Sequence, residues 1–404
     1  MTTIDTEVLI IGGGLVGLAT AMHLQKMRPR STITLIEKGG KISDQQSGHN
    51  SNVLHAGIYY EPGSLKAKFC VEGNRAIAAL CEKFNLPIRR CGKVIVANTE
   101  EEIDRLERLH DRGTDNGVPG LRMIGLRELR EIEPHVDATR ALYAPNSAVV
   151  DFRKIAAVFA AVFENSGGKL MLNTEFLSAA MLEGRSRVFT SNGDFTAKLV
   201  INCAGLQSDL VARAMGANPD IRIIPFRGEY YMLGERGRQL VNGLVYPTPN
   251  PALPFLDVHL TPQVDGSVEA GPNAVLATMR EGYTRRDFSA REFGQTLSYP
   301  GFWLLAGRHL RAGISEINRS LRKSVFLKSL QELVPDITAD DIEPGGAGVR
   351  AQAVDRRGNM VDDFYIEEAP GAIHVLNAPS PAATSSFMIG KYIAHQADVR
   401  MNAD

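Results

Sequence analysis

Three glycines near the start of the chain have the spacing of a phosphate cradle. Gly12, Gly14 and Gly17 lie in GGGLVG, directly after the apolar run TEVLII (6–11) and before the apolar stretch LVGLATAMHLQKM (15–27). In a G-x-G-x-x-G turn the first glycine permits the tight bend, the second lets a pyrophosphate approach the backbone, and the third lets helix and strand pack closely. The free N–H groups and the dipole of the following helix then bind the phosphates. Glu37 ends the next strand, STITLIEK (31–38), about 20 positions beyond the third glycine, where an acid accepts the hydroxyls of an adenosine ribose. Lys38 adjoins it. The chemistry implied is the binding of a dinucleotide.

Which dinucleotide is decided further along. A nicotinamide dehydrogenase would continue in regular βα units. Here residues 39–63 form a long segment rich in Gly, Ser, Asn, Gln and Tyr, carrying Ser47, His49, Asn50, Ser51, His55 and Tyr60. A loop of that length in a compact domain is functional more often than idle. The αβ pattern returns at 150–205, ending in Ala204 and Gly205, and again at 345–404. Distant segments closing on one long cofactor indicate FAD. Pro379, Ser380, Ala382, Ala383 and Thr384 lead into the last helix, near 382–397. The start of that helix is placed to face the flavin edge where negative charge develops on reduction.

The elements that must position these residues divide into two kinds. Strand, helix and strand over 6–38, a helix over 64–84, a helix from about 151 and the strand ending in INCAG predict a parallel sheet covered by helices. A strand at 93–98 and a charged helix from Glu100 to about Asn116 follow the first helix pair. Residues 219–282 alternate apolar and polar around Asp-Gly turns, the pattern of an antiparallel sheet, and 289–335 reads as helical. The expected fold class is α/β with two domains. A Rossmann-type FAD domain with a parallel sheet takes 1–90, 145–218 and 345–404. A substrate domain with an antiparallel sheet and helices takes 91–144 and 219–344.

Composition sets bounds. The 404 residues carry 45 Lys+Arg against 46 Asp+Glu, which gives no electrostatic reason to expect nucleic acid. Cys70, Cys81, Cys91 and Cys203 include no C-x-x-C pair, so reduced thiols are expected and neither a disulfide framework nor a metal site. The acidic start without a basic region, and the lack of an apolar run of ~18 residues, lead to the expectation of a cytoplasmic protein.

The glycine turn, GHNSNVLHAGIYYEPGSLKAKFC, INCAGLQSD, PFRGEYY, PFLDVHLTP, GPNAV, GVRAQAVDRRGNMVDDF and NAPSPAATSS together resemble the L-2-hydroxyglutarate oxidase/dehydrogenase family of the D-amino-acid-oxidase-like FAD superfamily. The resemblance covers essentially the whole chain. It implies oxidation of L-2-hydroxyglutarate to 2-oxoglutarate, with hydride passing from C2 to the flavin. Other 2-hydroxy acids, amino acids or glycerol 3-phosphate remain alternatives within the fold, and a non-catalytic flavin sensor is the alternative of another class. Such an oxidation needs a base, and of nine histidines His55 and His259 are the candidates, expected to titrate between about pH 5 and pH 8. It needs cations for two carboxylates. Arg350 is the first candidate and Arg227 the second, with Tyr60 and Tyr231 as hydroxyl donors. The resemblance leaves oxygen or membrane quinone as electron acceptor. Tyr299–Leu305 beside Arg308, His309 and Arg311 is a candidate for peripheral membrane contact.

Overall fold

The structure, a computed structural model, describes residues 3–182, 184–250 and 257–403. Among them the first large sheet has eight strands, and its centre is parallel. Ala372–Asn377, Gly193–Asn202, Thr3–Ile11, Ile33–Ile36 and Lys169–Met171 lie side by side in that order. Thr3–Ile11 shows why its sequence is an unbroken apolar run. Val8 and Ile10 join one apolar cluster, while Leu9 and Ile11 join another on the opposite face. A strand covered on both faces has no polar side to alternate with. Helices Leu15–Met27, Leu65–Lys83, Phe152–Asn165 and Ala382–Ala403 build the first cluster, and Ser208–Ala214 adds Val211 to the second. Local caps fix two of these starts: Ser64 Oγ accepts from the Ala67 N–H, and the Asp151 carboxylate accepts from the N–H groups of Arg153 and Lys154.

The second large sheet has nine strands. Ile221–Leu233, Val268–Gly271, His259–Pro262 and Leu244–Pro247 are successive antiparallel neighbours. One junction is parallel: Leu244–Pro247 runs beside Lys93–Ala97, which brings the strand of the early insertion into this sheet. Helices Ala290–Leu297, Pro300–Arg308, Leu310–Leu321 and Lys323–Gln331 occupy the stretch read as helical.

The expected domain boundary at 345 does not follow the strands. Ile342–Asp355 pairs with Ile221–Leu233 along almost its whole length, from Ile221 opposite Asp355 to Leu233 opposite Ile342. It is part of the second sheet, and the first sheet resumes only at Tyr365–Ala369. The apolar residues of GVRAQAV look like a buried parallel strand, but Val349 and Ala353 are buried here in the second sheet.

Asp209 ties the two sheets together. It sits on the helix that follows Gly193–Asn202 and is wholly buried. Its carboxylate accepts from the Ile223 N–H of the second sheet at 3.2 Å and from both terminal nitrogens of buried Arg280, one at 3.0 Å. Removing one partner of a buried ion pair leaves an uncompensated charge. Asp209→Ala is therefore expected to destabilise the protein by about 3–5 kcal/mol, read as a lower urea midpoint. The double variant Asp209→Leu/Arg280→Met should recover most of that loss.

Candidate functional site

A cavity of about 1140 Å³ opens where the carboxyl ends of the parallel strands meet the second sheet, the usual ligand crevice of such folds. Its walls come from the glycine turn, the long loop, the Ala204–Gly205 corner, Ile221–Leu233, the His259 strand, the Arg350 strand and the start of the last helix. Gly12 has φ +112°, and a Cβ there would stand 2.4 Å from the Cys203 carbonyl oxygen. Only glycine lets the first strand turn against the end of its neighbour. Gly17 does not line the cavity. A Cβ there would be 2.0 Å from the Gly12 carbonyl oxygen, so this residue seats the helix on the turn. Gly14 lines the cavity beside Ser47, whose Oγ accepts the Leu15 N–H at 2.9 Å and caps the helix start. Glu37 accepts the N–H groups of Gly13 at 2.7 Å and Gly39 at 2.8 Å, which fixes its carboxylate at the strand end. Lys38 also lines the wall, in an ion pair with Glu281.

The long loop is stitched down residue by residue. The Asn50 amide donates to the Ser47 carbonyl at 2.8 Å, and the Ser51 carbonyl accepts from Gln263. His49 meets the Ala347 carbonyl through Nδ1 at 3.2 Å and lies against the Tyr283 ring. Thr384 Oγ accepts the His55 N–H at 3.0 Å and donates to the Val53 carbonyl at 3.2 Å. Thr384 thus pins the loop to the start of the last helix. Pro379, Ser380, Ala382 and Ala383 line the same wall, and Ala204 and Gly205 stand across from them.

Beyond that helix start the cavity becomes aromatic and polar. His55, Tyr59, Tyr60, Tyr230, Tyr246, His259 and Arg350 converge on it, with Lys66 at its edge. His259 Nδ1 lies 2.9 Å from the Asp257 carbonyl. A carbonyl can only accept, so Nδ1 carries the proton and Nε2 keeps its lone pair. The His55 Nδ1 and the Tyr59 hydroxyl are buried without a partner among the described residues, which marks a place where a ligand completes the bonding. Burial, then the positive charges of Lys93 and Arg350, bring His259 down to about 3 against the pull of its bond to Asp257. Burial, Lys93 and His259 hold His55 well below the ordinary imidazole range. The expected titration of these rings between about pH 5 and pH 8 is thereby displaced downward, because a dry pocket penalises the charged ring.

Two expected substrate contacts lie elsewhere. On Ile221–Leu233 the cavity receives Gly228 and Tyr230, while Arg227 and Tyr231 point to the other face. Arg227 donates to the Thr284 carbonyl at 2.8 Å and to Glu229 at 3.1 Å. Burial would raise Glu229, but hydrogen bonds from Arg285, Ser320 and Asn273 outweigh it and hold this carboxyl at about 2. The Tyr231 ring packs on Phe326 at 4.5 Å. Strand alternation decides this. The alternation is regular through Arg227, Glu229 and Tyr231, and the irregularity at this point, a three-residue step from Pro344 to Ala347, belongs to the partner strand. Tyr230, Tyr246, Tyr59, Lys66 and the buried Lys93 escaped the sequence reading. Lys93 opens KVIVA, where a leading polar residue looks like a solvated strand end. The residues 254–256 of PFLDVHLTP lie outside the described residues.

The chain belongs to the FAD dependent oxidoreductase family, whose sequence pattern matches residues 7–396. Within it, the chain is 46% identical over 387 residues to an L-2-hydroxyglutarate dehydrogenase of Indibacter alkaliphilus, covering 96% of this chain and 97% of that one. It is 41% identical to the human mitochondrial L-2-hydroxyglutarate dehydrogenase, with 99% and 90% covered. Its fold is that of an L-alpha-glycerophosphate oxidase of Mycoplasma pneumoniae with FAD bound, at a TM-score of 0.78, 24% identity and coverage of 96% and 94%. The glycine oxidase of Geobacillus kaustophilus follows at a TM-score of 0.73, 20% identity and coverage of 97% and 94%. The protein is an FAD-dependent oxidoreductase, and its residues fit that cofactor. Glu37 lines the cavity at its strand end, the glycine turn exposes backbone there without side chains, and residues at the start of the last helix line the same cavity.

The ionisation of the two histidines is directly measurable. Ring-proton NMR of the flavin-loaded protein should show a flat shift for His259 from about pH 8 down to about pH 5, and a midpoint for His55 below the ordinary imidazole value. A midpoint near the ordinary imidazole value for both rings would contradict the dry pocket.

Proposed function

We propose that this chain oxidises L-2-hydroxyglutarate to 2-oxoglutarate. What carries the substrate is the 41–46% identity, over nearly the full length, to proteins bearing the L-2-hydroxyglutarate dehydrogenase name. The cavity supports it with a buried arginine and two neutral histidines beside the flavin-side wall. When held by the glycine turn, the Glu37 strand end and the start of Ala382–Ala403, FAD would supply the acceptor for the hydride at C2. The residues of the chain do the rest. Arg350, lying beside Tyr230 and Tyr246, grips a carboxylate through its planar fork. Tyr60 and Tyr230 offer hydroxyls within the same wall. His259 takes the hydroxyl proton at Nε2, because its bond to Asp257 leaves that lone pair free, and His55 is the alternative base. The N–H groups at the start of Ala382–Ala403 stabilise negative charge at the cofactor edge. The aromatic walls exclude water, which strengthens each of these interactions.

The test is anaerobic mixing of the purified yellow protein with L-2-hydroxyglutarate. The flavin absorbance should bleach within the mixing experiment, whereas a flavin sensor would not respond. Bleaching should slow by roughly two to four orders of magnitude in His259→Ala, the usual range for losing a general base. Arg350→Lys should chiefly raise the substrate concentration needed. A slower rate in His55→Ala with His259→Ala near wild type would exchange the two histidine roles.

The acceptor side of this reading is a membrane quinone reached by peripheral contact. No helix among the described residues is long and apolar enough to cross a membrane. Yet Leu310, Ile314, Ile317 and Leu321 form a stripe on Leu310–Leu321 and are 54–68% exposed, next to Trp303 at 58%. The same helix turns its polar side inward, with Glu316 accepting the Ala274 N–H, Arg319 paired to Asp257 and Ser320 donating to Glu229. An apolar face turned outward and flanked by Arg308, Arg311, Arg322 and Lys323 suits an anionic lipid surface. The protein should sediment with anionic vesicles and less with neutral ones. Ile314→Glu/Leu321→Glu should abolish that while leaving bleaching intact. Equal sedimentation of this variant would exclude the face.

A further inference from the structure

Lys93 is a buried cation that the roles above leave unused. It opens Lys93–Ala97 and is 1% exposed. Its neighbours on three adjacent strands are set by register. Lys93 lies opposite Leu244, Ile95 opposite Tyr246, and Val245 opposite Leu260. Residues in register share a face, so Lys93, Tyr246 and His259 stand on one face of the sheet with Tyr246 in the middle. The Lys93 ammonium lies 3.8 Å from the centre of the Tyr246 ring, and the His259 ring stacks on the same ring at 3.9 Å. The two partners rise from strands on opposite sides of Tyr246 and take its opposite faces.

The surrounding cations are already matched. Lys66 pairs with Asp362 at 2.8 Å, Arg227 with Glu229, and Arg350 feels the opposing charge of Glu316. No carboxylate pairs with Lys93 among the described residues. A buried charge without a partner is costly, and a dianion entering the cavity relieves that cost. We propose that Lys93 is a positioning residue for a dicarboxylate substrate: from behind Tyr246 its ammonium balances the second carboxylate. This rests on the dicarboxylate reading above.

The groups facing Lys93 are Tyr59, Tyr246, Cys70, Cys91, His55 and His259. Burial brings the lysine down to about 7, with the two thiols pulling the other way. Below that value it is charged and above it neutral. Its help to a bound dianion is therefore present on the acid side and lost as pH rises. Glu269, raised to about 7 by burial and Asp265, is the rival titrating group, since it is felt by Tyr230.

The experiment measures binding of glutarate, a dicarboxylate with no hydroxyl to oxidise, by its perturbation of the flavin spectrum in the flavin-loaded protein. Lys93→Met should weaken binding about ten-fold at about pH 6 and converge with wild type near pH 9.5, whereas Lys93→Arg should stay tight throughout. Without any ligand, ring NMR should show His259 titrating higher in Lys93→Met and unmoved in Lys93→Arg. Circular dichroism establishes that both variants are folded. Wild-type glutarate affinity in Lys93→Met at about pH 6, or a pH step that survives in Lys93→Met and vanishes in Glu269→Gln, would overturn the proposal. If wild type neither binds glutarate nor bleaches with L-2-hydroxyglutarate, the substrate assignment falls instead, and the NMR comparison alone reports the charge on Lys93.

Discussion

From the helix that follows Gly193–Asn202 of the first sheet, Asp209 meets a backbone N–H of the second sheet and the guanidinium of Arg280. Everything the cavity does depends on that three-way junction, because the cavity is the gap between the sheets. The glycine turn, the Ala204–Gly205 corner and the last helix start are borne by one sheet. Tyr230, Tyr246, His259 and Arg350 are borne by the other. A shift of 1 Å between them would misplace reacting groups as severely as a mutation within either wall. A buried ion pair is a weak source of net stability. Its directional bonds make it a strong source of alignment, and alignment is what a two-sheet site requires.

The two walls were legible to different degrees. The dinucleotide wall is written in local sequence: a strand, a glycine turn, a helix and an acid at a fixed distance. Backbone geometry alone dictates those residues. Glu37 and Gly12 are therefore readable without knowing what faces them. The substrate wall is written in strand parity and sheet order. Arg227 and Tyr231 differ from Gly228 and Tyr230 only by which way a strand residue points, and alternation tells which residues share a face but not which face meets the cavity. Lys93 became visible only when Leu244–Pro247 was found parallel to its strand, a long-range pairing that no local pattern carries. The sheet that Ile342–Asp355 joins was hidden for the same reason, since a strand's partner is not encoded in the strand itself.

The histidines illustrate how burial changes chemistry without changing residue type. In sequence, His55 and His259 are imidazoles with ordinary titration. In the fold burial and the nearby Lys93 charge penalise protonation of both rings, and His259 adds to the penalty on His55. Both rings are therefore available as acceptors over the physiological range. The same burial raises Cys70 and Cys203 far above the usual thiol range. All four cysteines are free, and those two are held as unreactive thiols close to the redox centre.

The helix Leu310–Leu321 is attached to the protein almost wholly by charge and hydrogen bonds. Glu316, Arg319 and Ser320 reach Ala274, Asp257 and Glu229, while its apolar side chains contribute little to the core. Such an attachment lacks the buried apolar area that holds the clusters beneath it. Amide hydrogen exchange in this helix would therefore be sub-global, opening at far lower free energy than the parallel sheet. The helix that carries Glu316, whose charge Arg350 feels, is a separable cooperative unit that opens while the rest of the molecule stays closed.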